Sequence, residues 1–257
     1  MCKDNDAAKG MVTAVKNTLS ALYSDAVRDR DVSFNPVRGA RLPVMQHKPK
    51  KKVPSNKEVI DLFTRAETLE DDSEQELVRI LYILAYTGSR IGEVLAMQWS
   101  DIDFTEQTWT VLRSASRNSS GHTIIGTSTK TSETRRINLP PTVVNYLQIQ
   151  KQYVTYRRAR MKVWQEYDLV FPGRFGTIID EGNIRKFFKK TFPDWNYSFH
   201  AFRHWYASTA FQKGVDVVVT ARALGHQSTS TTREVYGHLI PDASNQISDA
   251  VKRIIGQ

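Results

Sequence analysis

Six side chains, met in the order Arg90, Lys130, His200, Arg203, His226 and Tyr236, bring together in one chain the groups needed to transfer a phosphodiester without water or metal. A phosphodiester attacked by a side-chain oxygen gathers negative charge on its nonbridging oxygens. The planar guanidinium fork matches that geometry better than an ammonium does, which makes Arg90 and Arg203 the candidates for that charge. Tyr236 offers the attacking oxygen, but a phenol with a pKa of about 10 lies roughly three units from ionising at neutral pH, equivalent to about 4 kcal/mol. Flanking cations lower that cost, and a neutral histidine can accept the proton. His200 is our assignment for this base, and Lys130 can give up a proton. Taken singly, each residue has an ordinary reading: a salt-bridged arginine, a packed histidine, one exposed turn lysine among many, one tyrosine of ten.

The local wording separates them from that background. Arg90 stands in Thr87-Gly88-Ser89-Arg90-Ile91-Gly92-Glu93, Arg203 in His200-Ala201-Phe202-Arg203-His204, and His226 in Leu224-Gly225-His226, with Tyr236 following ten residues on. These motifs resemble the catalytic domain of the tyrosine recombinases of the phage-integrase type, over roughly residues 53 to 257. The resemblance implies site-specific recombination: Tyr236 attacks a DNA phosphate, a 3′-phosphotyrosyl link forms, and a 5′-hydroxyl is freed that rejoins to a partner strand. It assigns the acid that protonates the departing 5′-oxygen to Lys130, in a hairpin followed by a segment like Ile137-Asn138-Leu139-Pro140. It places His200 in the active site and makes His204 a support. Glu93, one turn beyond Arg90, reads as a buttress rather than an acid or base. The implied partners are double-stranded DNA carrying att-type sites, three further copies in a homotetramer, and an accessory bending protein or excisionase.

The elements that must position these groups are legible in the spacing. Val12, Val15, Leu19, Leu22 and Ala26 recur at helical intervals across Ala8 to Asp29. That helix and the Asn35-Pro36 loop resemble the end of the helical DNA-clamping domain that precedes the catalytic one in the family, so residues 1–47 are expected to be its remnant. A private helix packed on the main domain is the other reading. Lys48-Pro49-Lys50-Lys51-Lys52 marks a basic linker over 48–54, and the catalytic domain is expected over 55–257. Ser55 to Glu58 and Ser73 to Glu76 have capping-box spacing, Gly88 is placed to end the second helix, and Ser89 is expected to cap a helix with Arg90 in its first turn.

From Trp109 to Leu139 the texture turns β-branched. Segments Trp109 to Leu112, His122 to Thr127 and Arg135 to Leu139 predict a three-stranded antiparallel sheet, with Lys130 between the second and third strands. Eleven of the 21 residues from Ser114 to Thr134 are Ser or Thr, which reads as loop chemistry. Beyond Pro141 the chain reads as helical, apart from extended pieces at Leu169 to Phe171 and Thr177 to Ile179. His200 and Arg203, three residues apart on a helix opened by Ser198, share a face. Gly225 is placed to close the helix from Asp216 to Leu224, and a short helix capped near Thr231 is expected to bear Tyr236. The fold class is therefore mainly α with a small antiparallel sheet, the tyrosine-recombinase catalytic fold.

Composition agrees. The chain has 257 residues, 40% of them hydrophobic, enough for a packed core. Thirty-six Lys and Arg against 27 Asp and Glu leave a net charge of +9, which favours a polyanionic partner. The stretch Ala66 to Glu76 carries six acidic residues and no basic one, and is expected to be a solvated face. One cysteine, Cys2, excludes a disulfide framework, and the polar N-terminus does not resemble a signal peptide, so a soluble protein of the bacterial cytoplasm is expected, with no membrane partner. No metal or nucleotide motif is present, so neither metal nor cofactor is expected. A type IB topoisomerase, which shares the chemistry, and a DNA-binding regulator without cleavage are the rival readings. Ile247, Val251 and Ile254 form a short terminal stripe that docks on a neighbouring copy or folds back on its own domain. Prophage or a related mobile element is the expected source.

Overall fold

The computed structural model describes residues 5–40, 53–127 and 134–225, which fall into two units divided between residues 51 and 52. In the first unit, helix α1 (Asn5–Arg28) forms where the helical spacing predicts it. The loop after it is tied back by Asn35, whose Nδ2 donates to the Ser20 carbonyl at 2.8 Å and to Ser24 Oγ at 2.9 Å. Val15, Leu19 and Leu22 of its stripe are exposed. The basic run Lys48 to Lys52 lies outside the described residues.

The second unit is built around α3 (Asp72–Thr87). Leu77, Ile80, Leu81, Ile83 and Leu84 are all fully buried, so apolar groups cover more than one face of this helix, as a central helix requires. Helices α2 (Asn56–Ala66), α5 (Pro141–Arg160) and α7 (His200–Gln212) contribute Leu62, Leu147 and Phe202 to the same core. The capping box expected at the start of α2 is present: Ser55 Oγ accepts from the Glu58 amide at 3.3 Å and Glu58 Oε2 accepts from the Ser55 amide at 2.8 Å. The second expected box is not. Asp71 caps α3 instead, accepting from the Ser73 and Glu74 amides, and a carboxylate at a helix N-terminus is the stronger acceptor.

Glu76, freed from that role, is buried. It accepts from Gln150 Nε2 at 2.7 Å and pairs with Arg157 at 3.3 Å, so the acidic stretch is solvated only in its earlier part. Burial raises the Glu76 carboxyl above the ordinary carboxylate range, against the pull of Arg157, Gln150 and Arg79.

A three-stranded antiparallel sheet is present, with a different membership from the expected one. Strand β2 (Thr108–Val111) lies between β1 (Ile102–Asp103) and β5 (Arg135–Asn138), with Trp109 opposite Ile137 and Val111 opposite Arg135. Strand β4 (Thr123–Thr127) pairs instead with β3 (Arg113–Arg117), and this pair forms a separate two-stranded ribbon. Both edges of β2 are occupied, so β4 takes its sequence neighbour. Nine of the 15 described residues of the Ser/Thr-rich stretch are thus strand rather than loop. The extended pieces near 169–171 and 177–179 form isolated bridges, Gln98 with Leu169 and Pro172 with Ile178. Helices α4 (Ile91–Leu95), α6 (Glu181–Thr191) and α8 (Val217–Leu224) complete the described unit. Among the described residues no helix is long and apolar enough to cross a membrane.

Candidate active site

The position of Arg90 follows from the end of α3. Gly88 takes the left-handed conformation, φ 61°, that closes a helix, and Ser89 Oγ lies 2.9 Å from Thr87 Oγ1, whose own proton goes to the Ile83 carbonyl at 2.6 Å. Ser89 is therefore turned inward and does not cap α4. Arg90 occupies the N-cap position itself, with extended backbone, and its amide donates to Glu93 Oε2 at 2.9 Å. Its guanidinium, 44% exposed, donates to Glu93 Oε1 at 3.0 Å. Gly92 lets α4 approach β3 closely: a Cβ there would stand 2.6 Å from the Ala115 carbonyl oxygen.

Glu93 is 2% exposed and takes four hydrogen bonds, two from Arg90 and two from Arg135 of β5 at 3.0 and 2.6 Å. Burial alone would raise its carboxyl, but the hydrogen bonds and charge of Arg135, with those of Arg90, outweigh it and hold the group below the ordinary carboxylate value. Glu93 is thus an ionised clamp on Arg90.

Arg203 sits on α7 and is 2% exposed. Its Nη1 donates to the Gly88 carbonyl at 3.0 Å and its Nη2 to the Leu224 carbonyl at 2.6 Å, so one side chain joins the ends of α3 and α8. Two of the five guanidinium donors serve the fold in this way. His200 is the first residue of α7 and is exposed. The ring of His204 is buried 4.6 Å from it in edge-to-face contact. Ser198 does not cap α7 with its side chain; Phe199 already has helical torsions, and the Ser198 carbonyl takes the Ala201 amide at 2.9 Å.

Arg90 and His200 meet in one cleft, walled by Gly92 of α4, Ser114 and Ala115 of β3, Glu181 and Arg185 of α6, and Phe199. The N-cap residue Phe199 makes no side-chain capping bond among the described residues, and a helix N-terminus beside a guanidinium favours an anion. The ribbon is fastened to α6 across it: Arg117 donates twice to Asp180, at 2.8 and 2.7 Å, and Thr123 Oγ1 once at 2.8 Å. A larger cavity between α2 and residues 192–197 has the wrong charge for a phosphate, since Glu58, Asp61 and Asp194 face the single cation Arg65. Lys130, His226 and Tyr236 lie outside the described residues; β4 ends three residues before Lys130, and Gly225, at φ 66°, closes α8 immediately before His226. Among the described residues no three His, Cys, Asp or Glu side chains gather as metal ligands would.

Arg135 is the site residue that the motifs did not single out. The available signal was the period-two pattern of β5, which puts Arg135 on the same face as Ile137, a residue packed against the core. An arginine on that face needs a buried anion, and Glu93 is the one it meets.

Residues 53–242 match the sequence profile of the Phage integrase family. The chain is 27% identical over 250 residues to the tyrosine recombinase XerC-like protein of Caldanaerobacter subterraneus subsp. tengcongensis, covering 90% of this chain and 62% of that protein. It is 26% identical over 253 residues to the ICEBs1 integrase of Bacillus subtilis, covering 95% of this chain and 66% of that one. It therefore spans a little under two thirds of the length of these relatives. Among solved structures, the Tn1549 transposon integrase in complex with a circular intermediate DNA superposes with a TM-score of 0.71, over 95% of this chain and 79% of that one, at 17% identity, a likeness of fold. Since the profile spans most of the sequence and the motifs built into the cleft fall inside it, the chain belongs to the phage integrase family.

Proposed function

We propose that this protein is a site-specific DNA strand transferase that breaks and rejoins DNA through Tyr236. The observation that carries the reading is the cleft in which the Arg90 guanidinium, clamped by an ionised Glu93, stands with His200 at the N-terminus of α7. That arrangement suits the scissile phosphate of a DNA strand. Arg90 takes the charge that builds on a nonbridging oxygen, and Arg203 supports it from α7. The Tyr236 oxygen attacks phosphorus, its proton passing to His200. The 5′-oxygen departs with a proton from Lys130, and the strand is left as a 3′-phosphotyrosyl ester. A 5′-hydroxyl from a partner strand reverses the step and frees Tyr236. The phosphotyrosyl bond stores the energy of the broken diester, so neither metal nor ATP is consumed.

Rejoining to a different duplex requires two duplexes and four active sites, hence a homotetramer on att-type DNA, with a bending protein or excisionase setting direction. Residues 1–47 would be the end of the clamping domain, 48–54 a basic linker along the phosphates, and 55–257 the catalytic domain. The setting is the cytoplasm of a bacterial host, and the source a prophage or related mobile element.

A nicked duplex spanning the crossover, mapped by sequencing the junctions of the element's own flanking DNA, tests this. The freed strand diffuses away, so wild-type protein should remain on the DNA 3′ end through denaturing electrophoresis, with the DNA on the Tyr236 peptide. Tyr236→Phe should bind DNA but form no adduct. An adduct on another tyrosine, or cleavage that survives in the Phe variant, would refute the mechanism.

A further inference from the structure

We infer that Arg135 is a positioning residue that couples Arg90 to the Leu224-Gly225 turn and keeps the charge of Arg90 available to the phosphate. The inference rests on the strand-transfer reading above. The carboxylate of Glu93 uses each oxygen twice: Oε1 accepts from Arg90 Nη1 and Arg135 Nη1, and Oε2 from the Arg90 amide and Arg135 Nη2. Four donors fix the plane of that carboxylate and, through it, the direction of the half-exposed Arg90 side chain. With Arg90 alone, Glu93 would be held by one flexible (i, i+3) partner.

Charge leads to the same role. One carboxylate beside one guanidinium is a neutral pair with little pull on a phosphate. Arg135 is the second guanidinium on Glu93, so the three groups together carry one net positive charge, and Arg90 is the most exposed of them.

The same guanidinium lies against the end of α8. A Cβ on Gly225 would stand 2.8 Å from Arg135 Nη1 and 3.2 Å from its Cδ, while the preceding carbonyl, that of Leu224, is held by Arg203. Gly225 is glycine for two reasons, its left-handed torsion and this contact. Arg135 itself is carried rigidly, since it opens β5 opposite the buried Val111 of β2. Its Nε is buried with no acceptor among the described residues, so the side chain is placed for Glu93 and Gly225 rather than to satisfy all of its own donors.

The test uses the full chain and the nicked crossover duplex. Adduct formation in a single turnover is measured for Arg135→Lys and Arg135→Met, each in the wild-type and in the Arg90→Lys background, with DNA affinity and urea midpoints recorded alongside. Arg135→Lys should slow adduct formation on the order of 10- to 100-fold, the usual range when an orienting partner is lost. Arg135→Met should lose at least as much. In the Arg90→Lys background the same changes should cost far less, because the residue they act through has already been altered. Equal losses in both backgrounds, or an Arg135→Met protein as fast as wild type, would overturn the inference while leaving the strand-transfer reading intact. A wild-type protein that forms no adduct would instead remove that reading, and this inference with it.

Discussion

Replacing Glu93 by Gln should be among the most costly single-atom changes in this protein. The substitution keeps the volume and one acceptor oxygen but removes the charge, and turns an amide donor toward guanidiniums that can only donate. Arg135, whose side chain is 9% exposed, is left as a buried cation without its anion. Removing one partner of a buried ion pair costs about 3–5 kcal/mol, a large share of the about 5–15 kcal/mol that holds a domain folded. In a catalytic unit of this size each kcal/mol shifts the midpoint by about 2–4 °C, so the expected fall is roughly 6–20 °C. Urea unfolding followed by tryptophan fluorescence reads the free energy directly. Adding Arg135→Met should restore much of the loss, because the orphaned cation disappears with its partner. The folded-state pKa of Glu93 is depressed, so its contribution is complete above the unfolded value of about 4.3 and is lost as pH falls through the lower folded value. The gap between wild type and Glu93→Gln should therefore narrow in acid. A loss below about 1 kcal/mol at neutral pH, the range of an exposed pair, would refute the reasoning, as would a double variant no better than the sum of its parts.

Gly92→Ala should destabilise the protein by about 1–3 kcal/mol, because the new methyl group meets a backbone carbonyl at 2.6 Å and must part α4 from β3; unchanged urea midpoints would contradict this. Asp180→Asn should loosen the β3–β4 ribbon, raising amide exchange in 113–127 at neutral pH. The hydrogen bonds from Arg117 and Thr123 hold Asp180 well below the ordinary carboxylate range, so its contribution is present above about pH 3.9 and is lost as pH falls through the folded value. An exchange difference that persists undiminished in strong acid would count against that clamp. Lys130→Ala should slow cleavage of ordinary DNA but be largely rescued when the scissile 5′-oxygen is replaced by sulfur, which leaves without a proton; equal impairment on both substrates would remove Lys130 as the acid.

How far the sequence reached depended on the range of the interactions. Helix starts and stops set by neighbouring residues were legible: the Ser55–Glu58 box, Gly88 closing α3, Gly225 closing α8. So was the placement of His200 and Arg203 on one helix. The errors arose where two local solutions competed. Ser73 and Asp71 both suit an N-cap, and the carboxylate won; Ser89 has the chemistry of a cap, but its hydroxyl is taken by Thr87. The three-stranded sheet differs from the expected one in its members alone, because β1 is two residues long and leaves no periodic trace, although it occupies one edge of β2.

What only the tertiary structure decided is the company each charge keeps. By itself the sequence determined which residue types were present, their faces on each helix or strand, and hence the class of chemistry. That Glu93 binds an arginine 42 residues away, that Glu76 turns inward to Gln150, and that Arg203 spends two donors on the carbonyls of Gly88 and Leu224 are consequences of chain closure. Local spacing carries no record of such meetings, because a buried charge is satisfied by whichever partner the packed core brings to it.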